Sequence, residues 1–192
     1  MMSHHDEARL LSVVGVTALI GIAGLAIISD LRSRRIPNAL VWRGSVLAIL
    51  IHLWACLSQS DAIAGPHWWS SMAGLATGLL ALVPLYLMRA CGAGDVKLMA
   101  MVGAFVGPTT VLYAALYTLI AGGVLSLVYM LIKGVAVQTL QNVRFIVTDL
   151  VFKVRTGGGA RLDPLANTAA RLPYAVAITV GTFTALLQHG TP

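Results

Sequence analysis

Long apolar stretches recur along the chain, separated by short polar links. The first, residues 10–29, reads LLSVVGVTALIGIAGLAIIS. A second runs from about Ala39 to Leu57 with Arg43 near its start, and a third from about Met72 to Met88 with Pro84 as the expected kink. A short piece follows, Val96 to Val106, then a Gly107-Pro108 break and a long run from Val111 to Ile132. The last covers about Pro173 to Leu187. Since about 20 mostly apolar residues cross a bilayer as a helix, the pattern predicts an all-α fold. It is read as a polytopic integral membrane helical bundle of about six transmembrane helices, one membrane-embedded domain over residues 1–192.

The link at 133–172 carries a different pattern. Leu140, Val143, Val147, Leu150 and Val154 recur at spacings of three and four, with Gln141, Arg144, Thr148 and Lys153 on other faces. This predicts an amphipathic helix, either lying on the inner leaflet with its basic residues toward lipid headgroups or packed against the bundle. The stretch TGGGA ends it. GxxxG spacings at Gly74/Gly78 and Gly103/Gly107 permit close helix approach. A glycine-rich membrane chain produces such pairs by chance, so no functional role is read into them.

Composition agrees with the hydropathy pattern. Apolar residues make up 58% of the chain and charged residues 10%, against about 25% charged in soluble domains. The net charge of +6 does not point to nucleic acid, because no basic face interleaved with aromatics exists on a soluble scaffold. It is a topology signal instead. With six alternating spans, 12 of the 13 Lys and Arg residues fall on one side and only Arg9 lies opposite. That side is assigned to the cytoplasm, with both termini outside and Trp68 and Trp69 in an interfacial belt. The first span has its positive charges after it, in DLRSRR, so it reads as an anchor rather than a cleaved signal. Cys56 and Cys91 form no C-x-x-C or His/Cys cluster. Adjacent His4 and His5 sit in a polar tail. No metal site, disulfide framework or cofactor is expected.

Acidic residues are few, and they direct the chemistry. Asp6, Glu7 and Asp61 fall on the outer side, and Asp149 and Asp163 in the cytoplasmic link. Asp30 closes the first span and Asp95 opens the fourth. Two crossings separate them, and an even number restores the side. Although 65 positions apart in sequence, they can meet at one depth. An ionisable group at membrane depth is costly and is a functional candidate by default. The competing reading pairs each acid with nearby Arg32 or Lys97 as a snorkelling end charge.

Two close carboxylates in a partly dry site share a proton. The ionised member can take a proton from water while the neutral one donates to a carbonyl oxygen, which is acid–base hydrolysis without a covalent intermediate. Gly92 and Gly94, in CGAGDVKLMA, are expected to supply unusual dihedrals and close approach beside a water-filled cavity. The fourth span is short: about 11 apolar residues reach only about 16 Å. The chemistry is therefore placed at the membrane–cytoplasm boundary.

SDLRSRRIPNAL and GAGDVKLMAMVGAFVG resemble the two signature regions of the type IV prepilin peptidases, membrane aspartic endopeptidases with a G-x-G-D motif. RLPYAVAITVG resembles that family's last span. The compact length is similar to the small branch associated with Flp (Tad-type) pili. The resemblance implies that Asp30 and Asp95 are the catalytic aspartates. It implies that Gly92, Gly94 and Lys97, with Ile36, Pro37 and Asn38 of the first loop, are supporting motif positions. Read physically, Pro37 forces a turn and Asn38 is a candidate N-cap for the second span.

Larger family members carry an insert with paired C-x-x-C motifs after the first span, linked to N-methylation. Here RSRRIPN leads directly into span two, which implies peptidase activity without methyl transfer. The implied partner is a prepilin with a basic cytoplasmic leader ahead of one apolar helix, cut after a glycine at the inner membrane. The basic cytoplasmic face would not attract such a leader, so those charges are assigned to topology and to anionic lipid. A proton- or cation-coupled transporter using the paired carboxylates remains the alternative, and a scaffold subunit a weaker one. A metal-dependent lipid transferase is disfavoured, because two acids make a poor magnesium site.

Overall fold

A computed structural model of the chain describes residues 4–58, 64, 65, 67–87, 91–134, 144, 148 and 174–189, the side chains of residues 4–9 apart. Among the described residues it is entirely helical: α1 His4–Ser33, α2 Asn38–Leu57, α3 Ser70–Leu87, α4 Ala93–Lys133 and α5 Tyr174–His189. Four of these are long and apolar enough to cross a membrane, Leu10–Ser33, Asn38–Leu57, Ser70–Leu87 and Ala93–Lys133. The last helix, α5, has 16 residues. The chain divides into two compact units, one of Met1–Gly122 with Pro173–Pro192 and one of Gly123–Leu172. In the second unit the described residues comprise the distal end of α4, Gly134, Arg144 and Thr148. The amphipathic helix expected from the 140–154 stripe otherwise lies outside the described residues.

The outward faces explain why this chain is a membrane protein. Trp42 on α2 is 71% exposed, and many Leu, Ile and Val side chains of α1 and of the distal half of α4 are exposed as well. In water so much exposed apolar surface would drive aggregation; in lipid it costs nothing.

Inside the first unit, the contacts are made by small residues. Gly15, Leu19, Ala23, Ala26 and Asp30 are the buried positions of α1; their spacing of four, four, three and four puts them on one stripe. Asp30 therefore continues the packing face, while Leu31 and Arg32 turn outward. α2 buries Gly44, Ser45, Ala48, His52 and Ala55, and α5 buries Ala175, Ala177, Ile178, Gly181, Thr182 and Ala185. Without a hydrophobic driving force between helices in lipid, close backbone approach is what holds them, and small residues allow it.

The centre of the unit is the first part of α4, where every residue from Leu98 to Gly107 is buried. The segments expected separately at 96–106 and 111–132 form one helical element, interrupted at Gly107 (φ 81, ψ 174). The break is a reversal of direction. A Cβ on Gly78 of α3 would lie 3.0 Å from the Met99 carbonyl carbon and 3.1 Å from Val111 Cγ2. In a straight helix positions 99 and 111 would be about 18 Å apart. Gly107 supplies the left-handed φ, and Pro108 has no N–H to lose there. By contrast Pro84, the expected kink of α3, lies within a helix that runs on to Leu87.

The glycine pairs given no role from sequence prove to be the α3–α4 contact. A Cβ on Gly74 would overlap the Gly103 carbonyl oxygen, and a Cβ on Gly103 would overlap that of Gly74. Ser71 adds a hydroxyl bond to the Ala104 carbonyl, 2.8 Å, across the same seam. At the end of the unit away from Asp30, buried His52 of α2 places Nε2 2.8 Å from the His67 carbonyl oxygen ahead of α3.

Valine at position 74 or 103 is expected to lower stability in detergent by at least about 1–3 kcal/mol, the usual cost of overpacking, because backbone rather than a movable side chain blocks the new atoms. Gly21→Ala, where a Cβ meets nothing within 4 Å, should leave the thermal unfolding midpoint unchanged. Thermal unfolding of the purified variants checks both.

Candidate active site

The elements that meet near Asp30 are the end of α1, the turn into α2, the start of α4 and the start of α5. α1 ends at Ser33 with Arg34 in the left-handed region (φ 50), its N–H donating to the Asp30 carbonyl at 2.8 Å. A non-glycine residue is unusual there, and the turn is braced by Ser29 Oγ donating to the Arg35 carbonyl, 2.9 Å. Pro37 then adopts an extended conformation (φ −62, ψ 128) as the N-cap of α2. The turn expected at Pro37 is present. The cap expected at Asn38 is not: no side chain caps α2, and Asn38 lies within the helix. Its Oδ1 instead accepts from Lys97 Nζ at 3.0 Å, joining positions 59 apart in sequence.

Asp95 is the third residue of α4. Its Oδ2 accepts the Gly92 N–H at 2.9 Å, while the Asp95 N–H donates to the Gly92 carbonyl at 3.1 Å. A carboxylate at the third helical position reaching back to the N-cap amide is one half of a capping box, and it satisfies an N–H that has no helical partner. The motif glycines work by size. Neither Gly92 nor Gly94 has a positive φ, so the expectation of unusual dihedrals does not hold. A Cβ on Gly92 would lie 3.3 Å from Asp95 Oδ2, and one on Gly94 3.3 Å from Ile36 Cβ. One glycine makes room for the carboxylate; the other lets the α1–α2 turn sit against the first turn of α4. Ile36 and Asn38 thus both contact the G-x-G-D-x-K segment.

Asp30 is 8% exposed and Asp95 half-buried. The Asp30 charge acts on Asp95, so the two side chains lie within electrostatic reach of each other. Asp30 Oδ2 accepts the Ala175 N–H of α5 at 3.2 Å, across 145 positions of sequence. Among the described residues neither acid has an ion pair with Lys or Arg: the Lys97 ammonium is on Asn38, and Arg32, Arg34 and Arg35 are exposed. Among the described residues each carboxylate thus accepts a backbone N–H at the start of a helix, and Asp95 remains partly exposed.

Sequence reasoning missed Tyr174 and Ala175. Ala175 contributes only backbone, which no residue pattern announces. Tyr174 is half-buried and within electrostatic reach of both Asp95 and Cys91; its place in RLPYAVAITVG was the available signal.

The sequence profile of the type IV leader peptidase family matches residues 17–127, more than half of the chain. The chain belongs to the type IV leader peptidase family. No curated protein matches it, and no solved structure does. The matched region of this leader peptidase includes Asp30, the α1–α2 turn and the G-x-G-D segment, and it ends before α5. Membership makes the chain a membrane peptidase.

Cys91, in the link before α4, reports on the same surroundings. Burial, with the Asp95 charge second, pushes its thiol from an ordinary 9.0 up to about 11. A raised thiol pKa leaves less thiolate at any pH below it. At pH 8, in a Cys56→Ser background, Cys91 of the leader peptidase should alkylate about 10-fold more slowly than an unperturbed thiol, the loss of thiolate being partly offset by its greater nucleophilicity. Iodoacetamide labelling followed by mass spectrometry checks this.

Proposed function

We propose that this leader peptidase is an aspartic endopeptidase that removes the cytoplasmic leader from Flp-type prepilins, with Asp30 and Asp95 as its catalytic pair. The observation that carries the reading is the convergence of those two carboxylates. They lie 65 positions apart within the matched region and within electrostatic reach of each other; each accepts a backbone N–H, and among the described residues neither meets a Lys or Arg. A structural pair of end-of-helix acids would instead be expected to sit on Arg32 or Lys97.

The chemistry follows from that arrangement. With one proton between two carboxyl groups, the ionised one removes a proton from a water molecule as its oxygen attacks the scissile carbonyl carbon. The protonated one donates to the carbonyl oxygen, giving a tetrahedral gem-diol. Collapse breaks the C–N bond as the leaving amine is protonated, and the pair ends with its single proton again. Asp95 is the more accessible member and the natural point of water entry.

The topology that suits this reading counts six spans, the two arms of α4 being separate crossings joined at Gly107-Pro108 and α5 the last. Asp30, Asp95 and the first turn of α5 then share the cytoplasmic boundary of a bacterial inner membrane, and both termini lie outside. The first arm of α4 is too short to span about 30 Å of hydrocarbon, so Asp95 lies below the headgroups, level with the end of a substrate helix. The prepilin's basic leader would stay in water while its apolar helix lies in lipid. The chain has no paired C-x-x-C segment after α1, and the proposed reaction ends at cleavage, without N-methylation.

Asp30→Asn and Asp95→Asn should each reduce cleavage of a co-expressed prepilin by at least about 10³-fold, as removing one member of a catalytic pair does, with membrane insertion retained. Intact-mass analysis of the pilin N-terminus reads this directly. Undiminished processing by Asp95→Asn would sink the mechanism.

A further inference from the structure

Each acid accepts a backbone N–H at the start of a helix, and the helix that serves Asp30 begins with a tyrosine. Tyr174 is the first residue of α5, and the next residue's N–H is the one that meets Asp30. The first turn of a helix has no partners for its own N–H groups and frays readily, so the position of the Ala175 amide depends on what anchors Tyr174. Its ring lies against Gly122 of α4. A Cβ on Gly122 would be 2.9 Å from Tyr174 Cε2 and 3.2 Å from both Cζ and the hydroxyl oxygen. Gly122 is itself buried, and no side chain other than hydrogen leaves the ring its place. Further along, a Cβ on Gly181 of α5 would be blocked by the Ala114 carbonyl and by Thr118. The two helices therefore run antiparallel in backbone contact, and Tyr174 on Gly122 is the end of that seam nearest the acids.

We propose that Tyr174 is a positioning residue of the active site: its ring, pressed on Gly122, fixes the first turn of α5 so that the Ala175 N–H holds Asp30 in line with Asp95. The inference rests on the reading of Asp30 and Asp95 as the acting pair. It assigns the effect to the ring and not to the hydroxyl. Misplacing a reacting group by about 1 Å costs on the order of 100-fold in rate, so loss of the ring should fall on kcat. The proposal assigns Tyr174 to the placement of Asp30 and not to substrate binding, so KM should move little.

The test uses the full-length protein in proteoliposomes with a Flp-type prepilin, scoring initial rates by intact mass, with wild type and Asp95→Asn as controls. Tyr174→Ala should lower kcat by about 10- to 100-fold with KM within about twofold, and Tyr174→Phe should recover most of the loss. Gly122→Ala, which favours the helix locally but displaces the ring, should lower kcat in the Tyr174 protein and add nothing in the Tyr174→Ala protein, the non-additivity expected of residues acting through one contact. Wild-type kcat in Tyr174→Ala, a Tyr174→Phe enzyme as slow as Tyr174→Ala, or additive losses would each overturn the proposal. Should Tyr174→Ala fail to accumulate, Gly122→Ala decides alone, and an unchanged kcat there overturns it. If wild type does not cleave, or Asp95→Asn does, the aspartic reading has failed instead.

Discussion

A carboxylate near the end of a membrane-crossing helix must find donors, and the two in this protein accept N–H groups at the starts of helices. Gly92 at the start of α4 serves Asp95, and Ala175 at the start of α5 serves Asp30. Such an N–H, with the helix dipole behind it, contributes about 0.3–2 kcal/mol toward a nearby negative charge. Removing an ion from water costs several kcal/mol even after relaxation. The donors therefore offset only part of the cost. What remains is reduced by the partial exposure of Asp95 and, in the proposed mechanism, by the single proton that the pair shares. Contact with Lys97 would lower the cost further, and would also weaken the reason for the pair to hold that proton. Lys97 being turned onto a neutral amide is thus part of the same arrangement.

Bringing those helix ends together depends on how closely the backbones pack. Asp95 stands at the start of an arm buried from Leu98 to Gly107, and that arm is held against α3 by glycine on glycine. The reversal at Gly107 returns α4 alongside α3 and then α5, so the start of α5 lies near the level where the arm began. Serine and threonine hydroxyls within these helices mostly bond to carbonyls four residues back, which satisfies them in an apolar medium. Ser71 on the Ala104 carbonyl crosses between helices instead. The seams are consequently matters of shape, where one added carbon atom is felt.

The supporting motif residues divide by what they touch. Ile36 and Asn38 bind the α1–α2 turn to the opening of α4 through Gly94 and Lys97, and this couples the ends carrying the two acids. Pro37 determines where α2 begins. The positive charges that flank them, Arg32, Arg34 and Arg35, are exposed.

Sequence alone determined the apolar segments, the helical class and the singling out of Asp30 and Asp95, because hydropathy and the scarcity of acids are properties of residue type. It located the break at Gly107-Pro108 for the same reason: those two residues are the least able to continue a helix. Tertiary structure decided the rest. Whether Gly74 and Gly103 are chance spacings or a seam depends on which helix lies opposite. Asn38, a reasonable cap by its side chain, bonds instead to a lysine 59 positions away. The donor on Asp30 is a backbone amide 145 positions along, identical in type to every other amide in the chain. Contacts made by backbone, or by the absence of a side chain, leave no mark on composition or periodicity, and only the packed helices reveal them.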